Sequence, residues 1–288
     1  MASMRDIKRR KSSIQSTQQI TKAMKLVSTV KLQKAKAKAE ESKPYFQTMY
    51  QTIGSILSKS GAIQHPYLLK NDSNKKAVIA ISANRGLAGG YNSNLVKLVT
   101  GDENLPKEDV FIYNIGTKGR EIFLRKGYEI KADYSEVINQ PLYKDAVDIT
   151  QALLKSYRDG EIGEIYLAYT SFKNTVSHVP TLMKLLPMDQ DSVKTEGEQE
   201  GSNALMNYEP EPEEALEQLI PKYVSSLIYG AFSEAVASEN GARMQAMDSA
   251  TSNAEEMIAG LSLMYNRARQ TSITQELTEI IAGADAIN

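Results

Sequence analysis

The chain has 288 residues, which is enough for one large or two modest domains with a sizeable buried core. It contains no cysteine, and this excludes disulfide bonds, zinc–thiolate sites and a cysteine nucleophile. Residues 1–43 carry 12 Lys and Arg against 3 Asp and Glu, a net charge of +9, whereas residues 209–288 carry 4 against 13, a net charge of −9.

Residues 1–58 predict one long helix, because strong helix formers dominate and no glycine precedes Gly54. Apolar residues recur along one face, although polar residues between Thr17 and Thr21 interrupt the pattern. That apolar face comprises Ile7, Ile14, Met24, Val27, Leu32 and Ala35. We expect Pro44 to kink or loosen this helix.

Residues 75–188 predict a central, mostly parallel α/β domain of the doubly wound, Rossmann-like kind, because strand-like and helix-like segments alternate. Strands are expected at Lys76–Ser82, Asp109–Asn114, Tyr128–Tyr134, Glu164–Tyr169 and Val176–Leu186, the last as an antiparallel edge. Helices are expected at Asn92–Val99, Thr117–Arg125 and Leu142–Tyr157. The polar and acidic segment 189–210 predicts an exposed loop.

Residues 211–288 predict a second long helix, in which Pro212 and the glutamates that follow it suit the first turn. Its apolar residues follow heptad spacing at Met244, Met247, Thr251, Ala254, Ile258, Leu261, Tyr265 and Ala268. The two helices would be roughly 85 Å and 110 Å long at ~1.5 Å per residue. Each needs a partner, so we expect a long antiparallel coiled coil of the two oppositely charged ends.

The second helix is the longer one, so its end is expected to project beyond its partner. The projecting end carries Leu277, Ile280, Ile281, Ala282, Ala284, Ala286 and Ile287. Exposed apolar surface of this kind usually marks an interaction site. The tail therefore predicts that the end of the helix lies inside another protein.

The glycine-rich turn Gly86-x-x-Gly89-Gly90 follows the first predicted strand and is a candidate phosphate site. Its spacing matches neither common nucleotide-binding motif, and no lysine follows it, so a structural turn is favoured. A nucleotide-binding α/β enzyme with helical arms remains the alternative. His65 and His178 are the only histidines, and they stand outside any cluster with ligand spacing, so no metal site is predicted.

The basic N-terminal face offers a third interpretation, docking on nucleic acid or on an anionic lipid surface. It comprises Lys8, Arg9, Arg10, Lys11, Lys22 and Lys25. Pairing with the acidic helix of the same chain is the simpler explanation. No apolar run approaches the ~18 residues that cross a bilayer, and no apolar core follows the basic start, so we expect neither a membrane span nor a secretory signal.

Five segments resemble the γ subunit of bacterial-type F-type ATP synthases, and the resemblance covers essentially the whole chain. The segments are Met4–Arg10 with Ile20–Val27, Ser82–Asn92 around the glycine-rich turn, Ala242–Met247, and Asn266–Glu279. The order of these segments along the chain matches the order in that family.

The resemblance implies a central rotor shaft with no catalytic residue, cofactor or metal of its own. In that family the coiled coil stands inside a ring of α and β subunits, and the α/β domain is a foot that binds the ε subunit and the c-ring. The implied location is peripheral, at the cytoplasmic face of the cell membrane, with membrane association only through partners and no nucleic acid. Nine residues match partner-contacting positions of that family: Arg243, Arg269, Gln270, Thr274 and Glu276, and, as weaker matches, Arg9, Arg10, Lys22 and Met24.

Overall fold

The computed structural model describes residues 3–59, 65–188 and 212–285, and these form two compact units. The coil unit comprises Met1–Ser28 and Arg243–Asn288, and the sheet unit comprises Thr29–Ala242. The predicted acidic loop, 189–210, lies outside the described residues. No helix among the described residues is long and apolar enough to cross a membrane.

Five strands form one sheet in the sheet unit, in the order β3-β2-β1-β4-β5. They are β1 (Lys76–Ile81), β2 (Val110–Ile115), β3 (Glu129–Asp133), β4 (Glu164–Phe172) and β5 (His178–Leu186). β1 to β4 are parallel, and β5 joins β4 as an antiparallel edge. The doubly wound prediction and the antiparallel last strand are both confirmed.

Five α-helices lie in the described chain, besides two short 3₁₀ turns. They are α1 (Met4–Lys59), α2 (Tyr91–Thr100), α3 (Thr117–Arg125), α4 (Tyr143–Arg158) and α5 (Pro212–Asp285). α1 and α5 have 56 and 74 residues, and each continues through an internal proline, Pro44 and Pro221 respectively. The long terminal helices of the predicted fold are therefore present.

The central strands of the sheet are buried on both faces, as is usual for parallel strands. Alternate residues of β1 point to opposite sides: Ile79 and Ile81 join a core with α4, the end of α1 and the start of α5, whereas Val78 and Ala80 join a core with α2 and α3. This arrangement explains why β1 has a nearly continuous apolar sequence instead of an alternating one. The start of α5 is part of that first core through residues such as Phe232, which is fully buried.

Candidate functional site

The two long helices pair in antiparallel fashion in the coil unit. Gln18 Nε2 donates to Glu255 Oε1 at 3.0 Å, the hydroxyls of Thr21 and Thr251 share a hydrogen bond of 2.8 Å, and Lys25 Nζ lies 2.5 Å from an oxygen of Asp248. As the residue number rises along α1, the number of its partner on α5 falls. The predicted antiparallel coiled coil is thereby confirmed in this unit.

The seam of α1 is more polar than the sequence pattern predicts. Its buried or half-buried residues follow heptad spacing at Ile7, Lys11, Ile14, Gln18, Thr21, Lys25 and Ser28. Thr21 and Ser28 are only 8% and 3% exposed, whereas Val27 is 56% exposed, so the prediction that Val27 belongs to the packed face is wrong. The pattern of apolar residues does not identify these seam positions, because hydroxyl groups can be buried in a seam when they have hydrogen-bond partners.

The heptad pattern predicted for α5 is confirmed. All eight of its positions, from Met244 to Ala268, are buried or half-buried, and Ser272 continues the series. Met247 and Ala254 are the most deeply buried of them, at 4% and 5% exposure. This side of α5 is therefore occupied by α1, and the remaining sides are left for other contacts.

The end of α5 extends beyond α1. If the pairing register of Thr21 with Thr251 continues, Met4 at the start of α1 stands opposite residue 268 of α5. The α5 residues from there to Asp285 add roughly 25 Å at ~1.5 Å per residue. Each residue from Ile273 to Ala284 is exposed, including the predicted tail residues Leu277, Ile280 and Ile281 at 56%, 67% and 61%.

The nine predicted contact residues all lie in the coil unit but do not form one cluster. Arg269, Gln270, Thr274 and Glu276 are exposed on the last turns of α5. Gln270 and Thr274 line a shallow open groove on this helix, with Arg267, Thr271, Gln275 and Thr278. Thr271 and Thr278 donate their hydroxyls to the carbonyls four residues earlier, and Gln275 Nε2 donates to Glu279 Oε1 at 3.1 Å.

The remaining predicted residues are spread along the unit. Arg9, Arg10 and Lys22 are exposed and Met24 is half-buried, while Arg243 is only 8% exposed. Arg9 and Lys22 are 13 positions apart, which is roughly 20 Å along a helix. The arrangement is a long rod with basic and polar side chains at several heights, and it suits contacts with several protein surfaces better than the binding of one small ligand.

The glycine-rich turn after β1 packs against α5 within the sheet unit. Ala83, Ala88 and Tyr91 are buried together against Ala242, and Tyr91 Oη donates to the carbonyl of Ala235 at 3.2 Å. This turn stands at the carboxyl end of β1, where ligands bind in many doubly wound folds. Here its small side chains allow close approach of α5, which supports the structural interpretation of the turn.

The carboxyl ends of β1, β2 and β3 are joined by buried polar side chains that the sequence patterns did not identify. Ser82 Oγ lies 3.0 Å from the carbonyl oxygens of both Ile115 and Gly116, which share its single proton, and it accepts from Gly119 N at 2.8 Å. Gly116 and Gly119 are required here, because a Cβ on either would lie 2.5 Å or less from an atom of Ser82. The first turn of α3 is therefore bonded to β1.

The two histidines lie in separate surroundings. His65 Nε2 is 3.0 Å from Glu217 Oε2, and Glu217 also pairs with Arg158. Burial lowers the pKa of His65, and Glu217 offsets that effect only in part. In the part of the chain that the structure describes, no group of three or more His, Asp or Glu side chains is arranged to hold a metal ion.

Comparison with known proteins gives matches over the whole chain. A family model described as ATP synthase matches residues 3–287. The ATP synthase gamma chain of Lachnoclostridium phytofermentans is 67% identical, with 100% of both chains covered. The ATP synthase gamma chain of Alkaliphilus metalliredigens is 45% identical over 99% of this chain and 98% of the relative. A sodium ion specific ATP synthase gamma chain of Acetobacterium woodii is 43% identical over 99% of each.

Solved structures show the same fold at lower sequence identity. A chain from the mitochondrial ATP synthase of Euglena gracilis, in an assembly of OSCP, F1 and c-ring, has a TM-score of 0.67 at 18% identity, covering 99% of this chain and 94% of that one. A chain from the central stalk and c-ring of the Tetrahymena thermophila enzyme has a TM-score of 0.59 at 23% identity, covering 80% and 99%.

Proposed function

Because the chain belongs to the ATP synthase gamma chain family and is a non-catalytic rotor shaft, we propose that the coil unit makes its contacts with the α and β subunits. The shaft couples ion-driven rotation to the conformational cycle of the catalytic β subunits, and so to synthesis or hydrolysis of ATP. The observation that carries this function is the match to a gamma chain over the full length of both proteins.

We assign the partner contacts to the nine residues that the sequence singled out. Arg269, Gln270, Thr274 and Glu276 are exposed on the part of α5 that extends beyond α1. Such a helix presents a different set of side chains on each side. It can therefore bind three otherwise equivalent partners with different free energies, which is what shifts a conformational equilibrium.

Of the other residues of this assignment, four lie on α1, and Arg243 lies on α5 directly after the sheet unit in sequence. Arg9, Arg10 and Lys22 present exposed positive charges that suit acidic partner surfaces, and Met24 offers a partly exposed apolar side chain. Arg243 is only 8% exposed, so its contact with a partner would use a small part of its side chain.

We extend the proposal to the remaining partners and to the location. The sheet unit is assigned as the foot that binds the ε subunit and the c-ring, which places the protein at the cytoplasmic face of the cell membrane as a peripheral component. The relatives of known structure come from F1 and c-ring assemblies, which supports this setting. The contact with the membrane is then made through the partners alone.

Co-expression of the chain with the α and β subunits of the same organism, followed by native mass measurement, tests the assignment. We expect one copy of this chain in a complex with six large subunits. A chain that stays alone, or that forms its own oligomer and binds ATP, would contradict the shaft function and return attention to the glycine-rich turn.

A further inference from the structure

The hairpin of β4 and β5 is attached to one side of α5 by polar contacts. Phe172 N donates to Glu234 Oε2 at 3.2 Å, and Ser238 Oγ donates to the carbonyl of Thr170 at 2.9 Å. Glu234 and Ser238 are one helical turn apart, and Gly241 continues the same side of α5. The contact at Gly241 is of a different kind from the other two.

At Gly241 the imidazole of His178 occupies the place of a side chain. A Cβ at position 241 would lie 2.3 Å from Nε2, 3.1 Å from Cε1 and 3.3 Å from Cδ2 of His178. Glycine is unfavourable inside a helix, and this position lies within α5. The space that the ring needs is a physical reason for glycine here, and the ring edge thus packs directly on the helix backbone.

The ring edge is buried without a polar partner. Nε2 of His178 has no hydrogen-bond partner among the described residues, and the Phe172 ring lies beside the imidazole with 5.9 Å between centroids. Burial lowers the pKa of His178 from its ordinary value of 6.5. The helix carbonyls around Gly241 are engaged in α5, so they leave an additional N–H of the ring without a good acceptor.

Charged residues on the surrounding elements provide no acceptor for Nε2 of His178. They are Glu234 and Glu239 of α5, Lys173 of the hairpin and Lys97 of α2, and none of them is a hydrogen-bond partner of Nε2. Glu234, the acidic residue bonded to the hairpin, accepts from the backbone of Phe172 through Oε2 and makes no hydrogen bond with Nε2 of His178. A proton on Nε2 would therefore be a buried donor with a positive charge and no acceptor, which is costly.

We propose that His178 makes the attachment of the β4–β5 hairpin to α5 sensitive to pH. The neutral ring fits against Gly241, whereas the protonated ring favours a state in which the hairpin has moved away and water reaches Nε2. The attached state has its full stability above about pH 6.5, the ordinary pKa of histidine. It loses stability as the pH falls below that value, because the detached state binds the proton more tightly than the attached state does.

Amide hydrogen exchange of the full chain over residues 170–180, at pH 7.5 and pH 5.5 and corrected for intrinsic exchange, tests this proposal. We expect opening of the hairpin to rise by up to about tenfold at pH 5.5, the limit set by the protonation of a free histidine. His178→Gln should abolish this increase. His65→Gln, which alters the other histidine of the chain, should leave it intact.

The Gly241 contact is tested separately. Gly241→Ala should speed exchange of the hairpin at both pH values, since its Cβ would displace the ring. His178→Ala combined with Gly241→Ala should restore slow exchange, which separates a local steric effect from general misfolding. The proposal is overturned if His178→Gln keeps the wild-type pH response, if wild type shows none, or if Gly241→Ala leaves hairpin exchange unchanged.

Discussion

Glu164 lies at the centre of a small ionic cluster at the start of β4. Its carboxylate accepts from Lys184 Nζ at 2.7 Å and from Tyr166 Oη at 3.0 Å, and it lies 3.2 Å from Lys76 Nζ. Burial by itself would raise the pKa of Glu164, but hydrogen bonds from these three residues lower the pKa to about 2. The carboxylate thus ties β1, β4 and β5 together at one edge of the sheet.

We expect Glu164→Gln to lower the free energy of unfolding at pH 7 by about 2 kcal/mol, because two lysines lose their shared, buried counter-ion. In wild type this stabilisation is complete above about pH 4.5 and is lost as the pH falls toward 2, because the folded pKa lies below the unfolded one. Urea unfolding of the full chain between pH 3 and pH 7 measures both effects.

Glu129→Gln, on the exposed edge strand β3, is the control for Glu164→Gln and should change stability by less than about 0.5 kcal/mol. If Glu164→Gln changed the free energy of unfolding at pH 7 as little as the control does, the ionic cluster would contribute little to stability. The difference between the two variants should also shrink at low pH, where Glu164 of wild type becomes protonated.

At the scale of elements, the paired helices depend on a polar layer in their seam. The hydroxyls of Thr21 and Thr251 bond to each other, and each is also within bonding distance of a carbonyl of its own helix, those of Gln18 and Met247. Each hydroxyl has one proton, so only two protons are available for these three contacts. The two threonines therefore share one network and should not respond independently to substitution.

We expect Thr21→Val and Thr251→Val to show a coupling of about 0.5–1 kcal/mol in a double-mutant cycle, because the second substitution no longer breaks a bond that the first has already removed. Denaturant unfolding of wild type, both single variants and the double variant gives the value. Thr17→Val is the matched control, since Thr17 is exposed and bonds only to the carbonyl of Ser13 in the same helix. Additive effects of the two seam variants would contradict a shared network.

The helices and strands differ in how much of their extent could be predicted from sequence. The limits of α3, Thr117–Arg125, agree with its sequence pattern, because local helix formers and the preceding Gly116 determine them. β4 continues to Phe172, three residues beyond the predicted end, because Thr170, Ser171 and Phe172 pair with β5. The extent of a strand, like the polar seam of α1, depends on partners that are distant in sequence.

At the scale of the whole molecule, the opposite charges of the two ends predicted their pairing, and Lys25 with Asp248 is one such ion pair. Surface ion pairs contribute only about 0–1 kcal/mol each, so the charges are better suited to selecting the partner helix than to holding it. The contact residues could be named only by resemblance to a family. Their exposure or burial depends on the pairing register, and the periodicity of apolar residues predicted the packed face correctly for α5 and, except at Val27, for α1.

The exposed end of α5 allows the proposed function to be tested without disturbing the fold. We expect Arg269→Ala combined with Gln270→Ala to leave assembly with α and β subunits intact, since both side chains are exposed in the isolated chain. Coupled ATP turnover should fall about five- to thirtyfold, because about 1–2 kcal/mol of hydrogen bonding to partners is removed. ATP synthesis by membrane vesicles that carry the assembled complex measures this fall.

Ser252→Ala combined with Asn253→Ala is the control for that double variant, because both residues are exposed on α5 and neither is assigned a partner contact. Its turnover should match that of wild type. If both double variants turn over normally, the last turns of α5 do not contact the catalytic subunits through Arg269 and Gln270, although the shaft function itself would stand. If the two double variants are equally impaired, the effect belongs to the helix surface in general. Only a loss confined to the Arg269 and Gln270 variant assigns the contact to those two residues.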